Sequence, residues 1–198
     1  NPVVRFAPSP TGQLHIGGVR TALFNYLFAL RNNGTFLLRI EDTDTERSED
    51  IYTEQIIKSL HWLGFKYNGN PVIQSSRSKR YQEVIDYLLK TGSAYRCFAT
   101  VEELEKLKNE KDNYLYPRIW RDRSEKEIEA KLQNEENYVI RIKIPINGNI
   151  YFKDLVYGDI NTDCSELDDF IIARSDGTPT YNFTVVVDDH DMQVSHVI

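Results

Sequence analysis

Cysteine is scarce in this chain and no stretch stays apolar for long, and these two shortages exclude broad classes of protein. The 198 residues include only Cys97 and Cys164, which lie far apart and form no Cys-x-x-Cys or Cys/His pattern. This usage argues against a disulfide-stapled fold and predicts a reduced, cytoplasmic setting. No apolar run approaches the roughly 18 residues that a membrane-spanning helix needs, so we expect no membrane partner.

Positive charge is also in deficit. Lysine and arginine number 24 against 30 aspartate and glutamate residues, for a formal net charge of −6. A protein of this charge does not bind nucleic acid through an overall positive field, so any such contact needs a local basic patch. The P-loop and dinucleotide-binding glycine fingerprints are absent as well, which removes two common signals of a nucleotide site.

Residues 5–18 nevertheless have the order of a phosphate-binding turn. A short apolar run at Val3 and Val4 comes first, then a turn rich in proline and glycine, then a glycine pair and an apolar helical pattern. A helix start offers unpaired N–H groups and a partial positive charge, and glycines let a phosphate approach the backbone. The pattern therefore predicts a nucleotide site, with His15 as an additional donor.

The segments that follow predict a parallel sheet. Residues 19–30 are apolar around most of a helix, which indicates burial on several sides, and residues 35–40 form a β-rich run. Strand, helix and strand in this order predict a βαβ unit and an α/β fold with a Rossmann-like nucleotide-binding domain. Ligands bind at the carboxyl ends of such strands, so Glu41 is expected beside the first turn.

The middle of the chain has a different character, because strand patterns follow one another there without intervening helices. We predict an inserted α+β unit over residues 76–176, with the parallel-sheet domain divided into residues 1–75 and residues 177–198. Within the insertion, a strand over 138–144 is expected to pair with residues 150–152 across an Asn147-Gly148 turn. After the insertion, the predicted strands are residues 183–187 and 193–198.

Three motifs carry a resemblance to a known family. They read Phe6-Ala-Pro-Ser-Pro-Thr-Gly-Gln-Leu-His-Ile-Gly-Gly18, Leu38-Arg-Ile-Glu-Asp-Thr-Asp44 and Pro179-Thr-Tyr-Asn-Phe-Thr-Val-Val-Val-Asp-Asp189. Together and in this order they resemble the bacterial glutamyl-tRNA synthetases, a family of class I aminoacyl-tRNA synthetases, over essentially the whole chain. The resemblance implies activation of L-glutamate with ATP, through glutamyl-adenylate, and transfer of glutamate to the 3′ end of tRNA.

For the first motif the resemblance implies a catalytic role. Activation is an in-line attack of a carboxylate on the α-phosphate of ATP, so charge that builds on the phosphate must meet fixed donors. His15 and the helix start at Gly17 and Gly18 can supply such donors, and Thr11 can add a hydroxyl. Without the motif, the simpler interpretation of His15 is a satisfied histidine at a helix cap.

Glutamate carries two carboxylates and one ammonium group, so its pocket needs both signs of charge. Arg5 can hold a carboxylate through two parallel hydrogen bonds, and Glu41 is placed to meet the ammonium group. The resemblance implies substrate-binding roles at five positions, Arg5, Ala7, Ser9, Glu41 and Tyr181. The simpler interpretation of Arg5 is a surface salt bridge.

The resemblance implies that Asp44 and Arg47 lie near the acceptor end of the tRNA. A charged helix start explains these two residues almost as well. The resemblance also implies that the inserted unit is an acceptor-binding domain, where Arg118 and Arg121 stand among aromatic residues in a loop over 114–123. Arginine pairs with phosphates and aromatic rings stack on unpaired bases, so this loop is a candidate for tRNA contact. An exposed loop packed by its own aromatics is the alternative.

The chain departs from the family in two respects. Many members bind zinc through a Cys-x-Cys pair, but this chain has Cys97-Phe98-Ala99, so we expect no metal site in the protein. No Lys-Met-Ser-Lys-Ser-like signature is present either, which favours an N-terminal fragment. We further expect ATP to bring Mg²⁺ with it and the protein to be a monomer.

Two other functions stay open on the sequence alone. One is a shortened paralogue of the glutamyl-queuosine type, which attaches glutamate to a modified base in tRNA but tends to carry the zinc pair missing here. The other is a non-enzymatic module that binds ATP or an acceptor stem and forms no adenylate. A nucleotidyltransferase with a His-x-Gly-His motif is disfavoured, because Gly18 occupies the position of its second histidine.

Because the second signature motif is absent, we predict that residues 1–198 alone are nearly inactive in glutamate- and tRNA-dependent ATP–pyrophosphate exchange. That motif would supply part of the charge stabilisation that the phosphates need during the reaction. The assay measures incorporation of labelled pyrophosphate into ATP, with a longer relative that carries the motif as the positive control. Equal exchange rates for the two proteins would contradict the prediction.

Overall fold

The computed structural model describes residues 1–43, 50–111 and 115–198, with side chains as far as residue 107 in the second range. Asp44, Arg47 and Tyr114 lie outside the described residues, so the predicted tRNA contacts of the first two are not tested by it. The chain divides into two units, one of residues 1–81 with 184–198 and one of residues 82–183. The boundaries drawn from the sequence at 76 and 176, and the domain roles assigned to them, stay predictions.

The first unit contains the predicted βαβ element. Its elements are β1 (Val3–Phe6), α1 (Ile16–Arg31), β2 (Thr35–Ile40), α2 (Asp50–Trp62) and β3 (Val72–Ile73). The sheet has the order β1-β2-β3, and both pairings are parallel, with Val3 opposite Thr35 in the first and Arg39 opposite Val72 in the second. The predicted parallel α/β arrangement is confirmed.

The core of this unit lies between the sheet and one side of each helix. Val4, Leu38 and Ile40 of the sheet are almost completely buried, and they share a cluster with Ala22 of α1 and Leu60 of α2. Burial of such side chains stabilises by about 2 kcal/mol each. The core therefore uses the strand faces that the apolar runs of the sequence indicated.

Helix α1 is less enclosed than its sequence suggested. Its buried residues, Ala22, Asn25 and Ala29, form a single stripe, whereas Phe24 and Leu30 are 58% and 63% exposed. The prediction of burial on several sides is wrong for the described residues, because the side of the helix that carries Leu23, Phe24, Leu27 and Leu30 is exposed. The helix ends as predicted, just before Gly34, where a Cβ would collide with the carbonyl oxygen of Pro2.

The strand predicted over residues 183–187 is instead part of a helix, α6 (Tyr181–Asp191). Thr184 and the three valines that follow it are β-branched and favour a strand by propensity, but propensity yields to packing. Thr184, Val187 and Asp188 are all buried, and their spacing of three and four residues is that of one helix face. Burial of that face in the folded protein therefore favours a helix over a strand in this segment.

Residues 193–198 are not a strand either, so this second prediction is also wrong. The segment nevertheless runs along the open edge of β1, where the N–H groups of Ser195 and His196 donate to the carbonyl of Val3 at 2.9 and 3.2 Å. The Ser195 hydroxyl accepts from the Val3 N–H at 2.8 Å. These bonds hold the segment beside β1 without a regular ladder.

The second unit combines helices with antiparallel strands. Helix α3 (Ser78–Lys90) leads into it, and the remaining elements are β4 (Ala94–Cys97), α4 (Val101–Lys111), α5 (Glu125–Gln133), β5 (Val139–Ile142), β6 (Asn149–Asp154), β7 (Gly158–Asp163) and β8 (Ile171–Ala173). Strands β4, β5 and β8 form one antiparallel sheet in that order, and β6 pairs with β7.

The predicted hairpin across Asn147-Gly148 is wrong, because β6 does not return to β5. It pairs with β7 from Asn149 opposite Asp163 to Asp154 opposite Gly158. The turn between them is closed by Asp154, whose Oδ1 accepts from the N–H groups of Val156 and Tyr157. An Asx-type turn of apolar residues carries no strong sequence signal, whereas Asn-Gly does.

One buried carboxylate organises the second unit. Asp169 is fully buried, and its side chain accepts from the Tyr95 hydroxyl at 2.9 Å, from Nη1 of Arg121 at 2.7 Å and from the Ile144 N–H at 3.0 Å. Burial together with the Asp169 hydrogen bond raises the pKa of Tyr95. A hydroxyl, a guanidinium and a backbone amide from separate segments are thus tied to one side chain.

We predict that Asp169→Asn lowers the free energy of unfolding by about 3–5 kcal/mol, because it leaves the buried Arg121 guanidinium without a countercharge. Urea unfolding followed by circular dichroism measures the change. The matched control is Asp122→Asn, which removes an exposed carboxylate paired with Lys143 at 2.8 Å and should cost about 1 kcal/mol at most. Equal costs for the two variants would contradict the role of Asp169.

Candidate functional site

The turn after β1 ends in a helix start capped by His15. The residue has extended backbone angles, φ −101° and ψ 167°, and its Nδ1 accepts from the N–H of Gly17 at 3.2 Å. Because Nδ1 is the acceptor, the neutral imidazole carries its proton on Nε2, on the opposite side of the ring. His15 is exposed, so its Nε2–H is a donor presented to solvent at the positive end of α1.

The glycine pair lies close against the side chains of this cap. A Cβ on Gly17 would lie 3.0 Å from Cε1 and 3.1 Å from Nδ1 of His15, and a Cβ on Gly18 would lie 2.8 Å from a methyl of Leu14. A side chain at either glycine would require the imidazole of His15 or the side chain of Leu14 to shift. The predicted use of glycine therefore has a structural reason in this chain, in addition to leaving backbone N–H groups open to an anion.

Predicted substrate residues of the first unit meet near this turn. The Glu41 N–H donates to the carbonyl of Pro8 at 2.9 Å, which joins the end of β2 to the turn that contains Ala7 and Ser9. Arg5 lies in β1 directly before the turn. The carboxyl ends of two neighbouring parallel strands thus bring Arg5 and Glu41 to one edge of the sheet, as the βαβ pattern predicted.

A chain of ion pairs with alternating charge connects Arg5 to Glu41. Arg5 donates from Nε and Nη2 to the two carboxylate oxygens of Asp189, both at 3.0 Å. Oδ1 of Asp189 also accepts from Nη1 of Arg39 at 2.6 Å. Arg39 in turn donates from Nε and Nη2 to Oε1 of Glu41, at 3.2 and 3.0 Å.

Arg39 is the buried centre of this series of ion pairs, and none of its side-chain surface is exposed. Burial lowers the pKa of its guanidinium, but the hydrogen bonds and charges of Asp189 and Glu41 outweigh burial and the pKa is raised. A buried cation of this kind is tolerated only when its hydrogen bonds are satisfied by anions. Arg39 therefore keeps its charge, and it requires both carboxylates.

The neighbouring Asp188 is also fully buried, and its Oδ2 lies 3.9 Å from Nε of Arg39. It accepts from Nε2 of Gln74 at 2.7 Å, from Nε of Arg77 at 2.6 Å and from the hydroxyl of Tyr81 at 2.9 Å. Burial and the hydrogen bond to Asp188 raise the pKa of Tyr81. Adjacent acids in α6 thus bind two different groups of partners, and together they dock the helix.

Sequence reasoning missed Arg39, Asp188 and Asp189 as members of the site. The residues lay inside quoted motifs, but residues 183–187 were interpreted as a strand, which gives no reason for two acids to be buried. A helical interpretation of the same segment would have placed Asp188 on the face of Thr184. Two consecutive aspartates after an apolar run were the available signal.

The remaining predicted residues lie elsewhere. Tyr181 begins α6 within the second unit and is 57% exposed. Arg121 is buried against Asp169, and Arg118 donates from Nη2 to the carbonyl of Leu167 at 2.8 Å. Both guanidinium groups thus have partners inside the second unit, where Trp120 also packs on Phe98 with ring centroids 5.1 Å apart. Their contact with tRNA stays a prediction.

The described residues contain neither a cluster of metal ligands nor a membrane-spanning helix. Within the described residues, no group of three or more His, Cys, Asp or Glu side chains is arranged to hold a metal ion. Over the same ranges, no helix combines the length and the apolar character needed to cross a membrane. Both cysteines are free thiols and buried.

The described groups suit a ligand with anionic and zwitterionic parts. Exposed donors at the start of α1 can meet a phosphate, while Arg5 and Glu41 offer a cation and an anion beside the same turn. The family model described as tRNA synthetases class I (E and Q), catalytic domain, matches residues 2–198, and the chain belongs to this family.

Its relatives within the family include glutamate–tRNA ligases. The chain is 52% identical over 199 residues to the glutamate–tRNA ligase of Coprothermobacter proteolyticus, covering 98% of the chain and 43% of that protein. It is 51% identical over 202 residues to that of Lawsonia intracellularis, covering 99% and 42%. The chain thus spans about two fifths of the length of these curated relatives.

A solved structure agrees with these similarities. The crystal structure of a glutamate tRNA ligase from Elizabethkingia meningosepticum in complex with its amino acid matches with a TM-score of 0.86 at 40% identity. The match covers 99% of this chain and 43% of that one. The backbone of this chain is therefore similar to that of a solved glutamate tRNA ligase, in agreement with the family assignment from sequence.

We predict that the stabilising effect of Asp191 disappears in acid. Hydrogen bonds from Arg80 are the main cause that lowers the pKa of this carboxyl, with His190 and Arg77 adding to it against the opposing effect of burial. A depressed pKa stabilises the fold above the unfolded value of about 3.9, and the stabilisation is lost as the pH falls below that value. Asp191→Asn should therefore be less stable than the unaltered chain at pH 6, by a margin that narrows below about pH 4.

Urea unfolding at several pH values measures this margin. The control is Glu54→Gln, which removes an exposed carboxylate that pairs with Lys58 at 3.1 Å and should change stability by about 0.5 kcal/mol or less. A difference between Asp191→Asn and the unaltered chain that stays constant from pH 6 to pH 3 would show that the Asp191 charge does not contribute.

Proposed function

We propose that this chain forms the amino-acid activation site of a glutamate–tRNA ligase. In this reaction a glutamate carboxylate oxygen attacks the α-phosphorus of ATP, pyrophosphate leaves, and glutamyl-adenylate forms. A hydroxyl at the 3′ end of tRNA then attacks the glutamyl carbonyl carbon and AMP leaves. The observation that carries the proposal is the exposed His15 helix start beside the Arg5 and Glu41 edge of a parallel sheet.

His15 and the glycine pair would act on the phosphates. The Nε2–H of His15 and the open N–H groups of α1 are donors whose positions are already set by the cap, so they need no rearrangement when charge grows on the α-phosphate. Thr11 lies in the same turn, where its N–H donates to the carbonyl of Ser9 at 2.9 Å, and its hydroxyl would be an additional donor.

Arg5 and Glu41 would hold glutamate by its charges. Arg5 would bind a carboxylate and Glu41 the ammonium group, with Ala7 and Ser9 forming the wall of the turn and Tyr181 supplying a hydroxyl. The choice of glutamate is supported by the names of relatives about half identical in sequence. Similarity to a ligase crystallised with its amino acid supports it further.

The partners follow from the same proposal. The second unit would be the acceptor-binding insertion of the Rossmann-like domain, with Arg118, Arg121, Asp44 and Arg47 as its candidate tRNA contacts. Mg²⁺ would arrive on the ATP phosphates, since this ion commonly binds through substrate phosphates with few protein ligands. We propose that the protein acts as a monomer in the cytoplasm, where ATP, glutamate and tRNA are available.

We predict that His15→Asn abolishes most of the activity without unfolding the helix start. Asparagine is a favoured N-cap residue, but its short amide cannot reach the position of Nε2, so the cap survives and the donor is lost. In the complete gene product that carries this chain, kcat for glutamate-dependent pyrophosphate exchange with tRNA present should fall by about 100-fold or more. The thermal midpoint should stay within about 2 °C.

The matched control is Gln13→Ala, an exposed residue of the same turn, which should keep full activity. Full activity of His15→Asn would reduce His15 to a cap and remove the main support for phosphate chemistry here. Failure of the unaltered protein to exchange pyrophosphate with glutamate would contradict the proposed function itself. Glutamate attached to an internal base, in place of the 3′ end, would assign the protein to the shortened paralogues.

A further inference from the structure

The Arg5 guanidinium is already half occupied. Its Nε and Nη2 atoms form the side edge of the group, and both donate to Asp189 at 3.0 Å in parallel hydrogen bonds. The end edge, formed by Nη1 and the second hydrogen of Nη2, has no acceptor within the described ranges. A substrate carboxylate that binds Arg5 can therefore use two parallel bonds only at this end edge.

Asp189 itself has little freedom. Its side chain is 18% exposed, and Oδ1 also accepts from Nη1 of the fully buried Arg39 at 2.6 Å. Arg39 cannot turn away, because Nε and Nη2 both donate to Glu41 and Nε also lies 3.9 Å from Oδ2 of Asp188. Asp189 consequently sets the direction of the Arg5 end edge, and the buried Arg39 holds Asp189 in place from its other side.

We propose that Asp189 is a positioning residue for glutamate binding, which orients the Arg5 end edge toward the substrate carboxylate and couples it through Arg39 to Glu41. This inference rests on the proposed function and names a residue to which that function assigned no role. The four side chains carry two positive and two negative charges. The array is therefore neutral overall, with a cationic end at Arg5 and an anionic end at Glu41, and a zwitterionic amino acid presents the complementary pair of charges.

A carboxylate is needed at position 189, because both of its neighbours are donors. An asparagine there would present an amide N–H₂ to one of the two arginines, and N–H groups that face each other repel. Arg5 would then be free to rotate about its side-chain bonds. Loss of orientation weakens binding of the ligand part that Arg5 touches, whereas a purely structural salt bridge would affect all ligands through stability.

The test uses Asp189→Asn in the complete gene product, with pyrophosphate exchange measured in the presence of tRNA. We expect the KM for glutamate to rise by about tenfold or more, because a small misplacement of a binding group has a large effect. The KM for ATP should change less than about twofold, since no ATP-binding group is paired with Asp189. The control is Asp191→Asn on the same helix, whose partners are Arg77 and Arg80 and which should leave both KM values unchanged.

A double-mutant cycle with Arg5→Lys shows whether Asp189 acts through Arg5. Lysine cannot make the two parallel bonds, so Asp189→Asn should raise the glutamate KM less than about threefold in that background. Independent, multiplying effects would overturn the proposal, as would equal rises in the KM for glutamate and for ATP, or an unchanged glutamate KM in Asp189→Asn. No glutamate activation by the unaltered protein would instead refute the proposed function, and this inference with it.

Discussion

The first unit depends on the burial of one arginine. Arg39 stands in the middle strand of a parallel sheet, and its charge is compensated only because Glu41, Asp188 and Asp189 surround it. Glu41 follows on the same strand, but the two aspartates come from a helix about 150 residues later in the chain. Removing one partner of such a buried group costs several kcal/mol. The arrangement of charges at the site edge therefore depends on the docking of α6 against the sheet.

The same device appears in the second unit. Asp169 gathers Arg121, the Tyr95 hydroxyl and a backbone N–H, much as Asp188 gathers Arg77, the Tyr81 hydroxyl and the Gln74 amide. In both cases one buried carboxylate accepts hydrogen bonds from residues that are far apart in the sequence. Burial, together with the hydrogen bond to the carboxylate, raises the pKa of the tyrosine in each case. Charge at these positions thus specifies the arrangement of segments more than it adds net stability.

Much of the site edge was predictable, because local rules govern it. The order of strand, glycine-containing turn and helix predicted the helix start beside His15, and the β-rich run before Glu41 predicted its place at the carboxyl end of β2. Prediction failed where propensity and packing conflict. Three consecutive valines favoured a strand over residues 183–187, but burial of Thr184, Val187 and Asp188 on one face requires a helix.

The sequence by itself determined the parallel βαβ unit, the capped helix start and the family, because these depend on short-range patterns and on motifs. Only the tertiary structure decided which charges meet. The sequence does not show that the side edge of Arg5 is bound to Asp189. It also does not show that Arg118 and Arg121, which it places in a loop, both pair with Asp169. Ion pairs between distant residues have no sequence period, so they become visible only when the chain has folded.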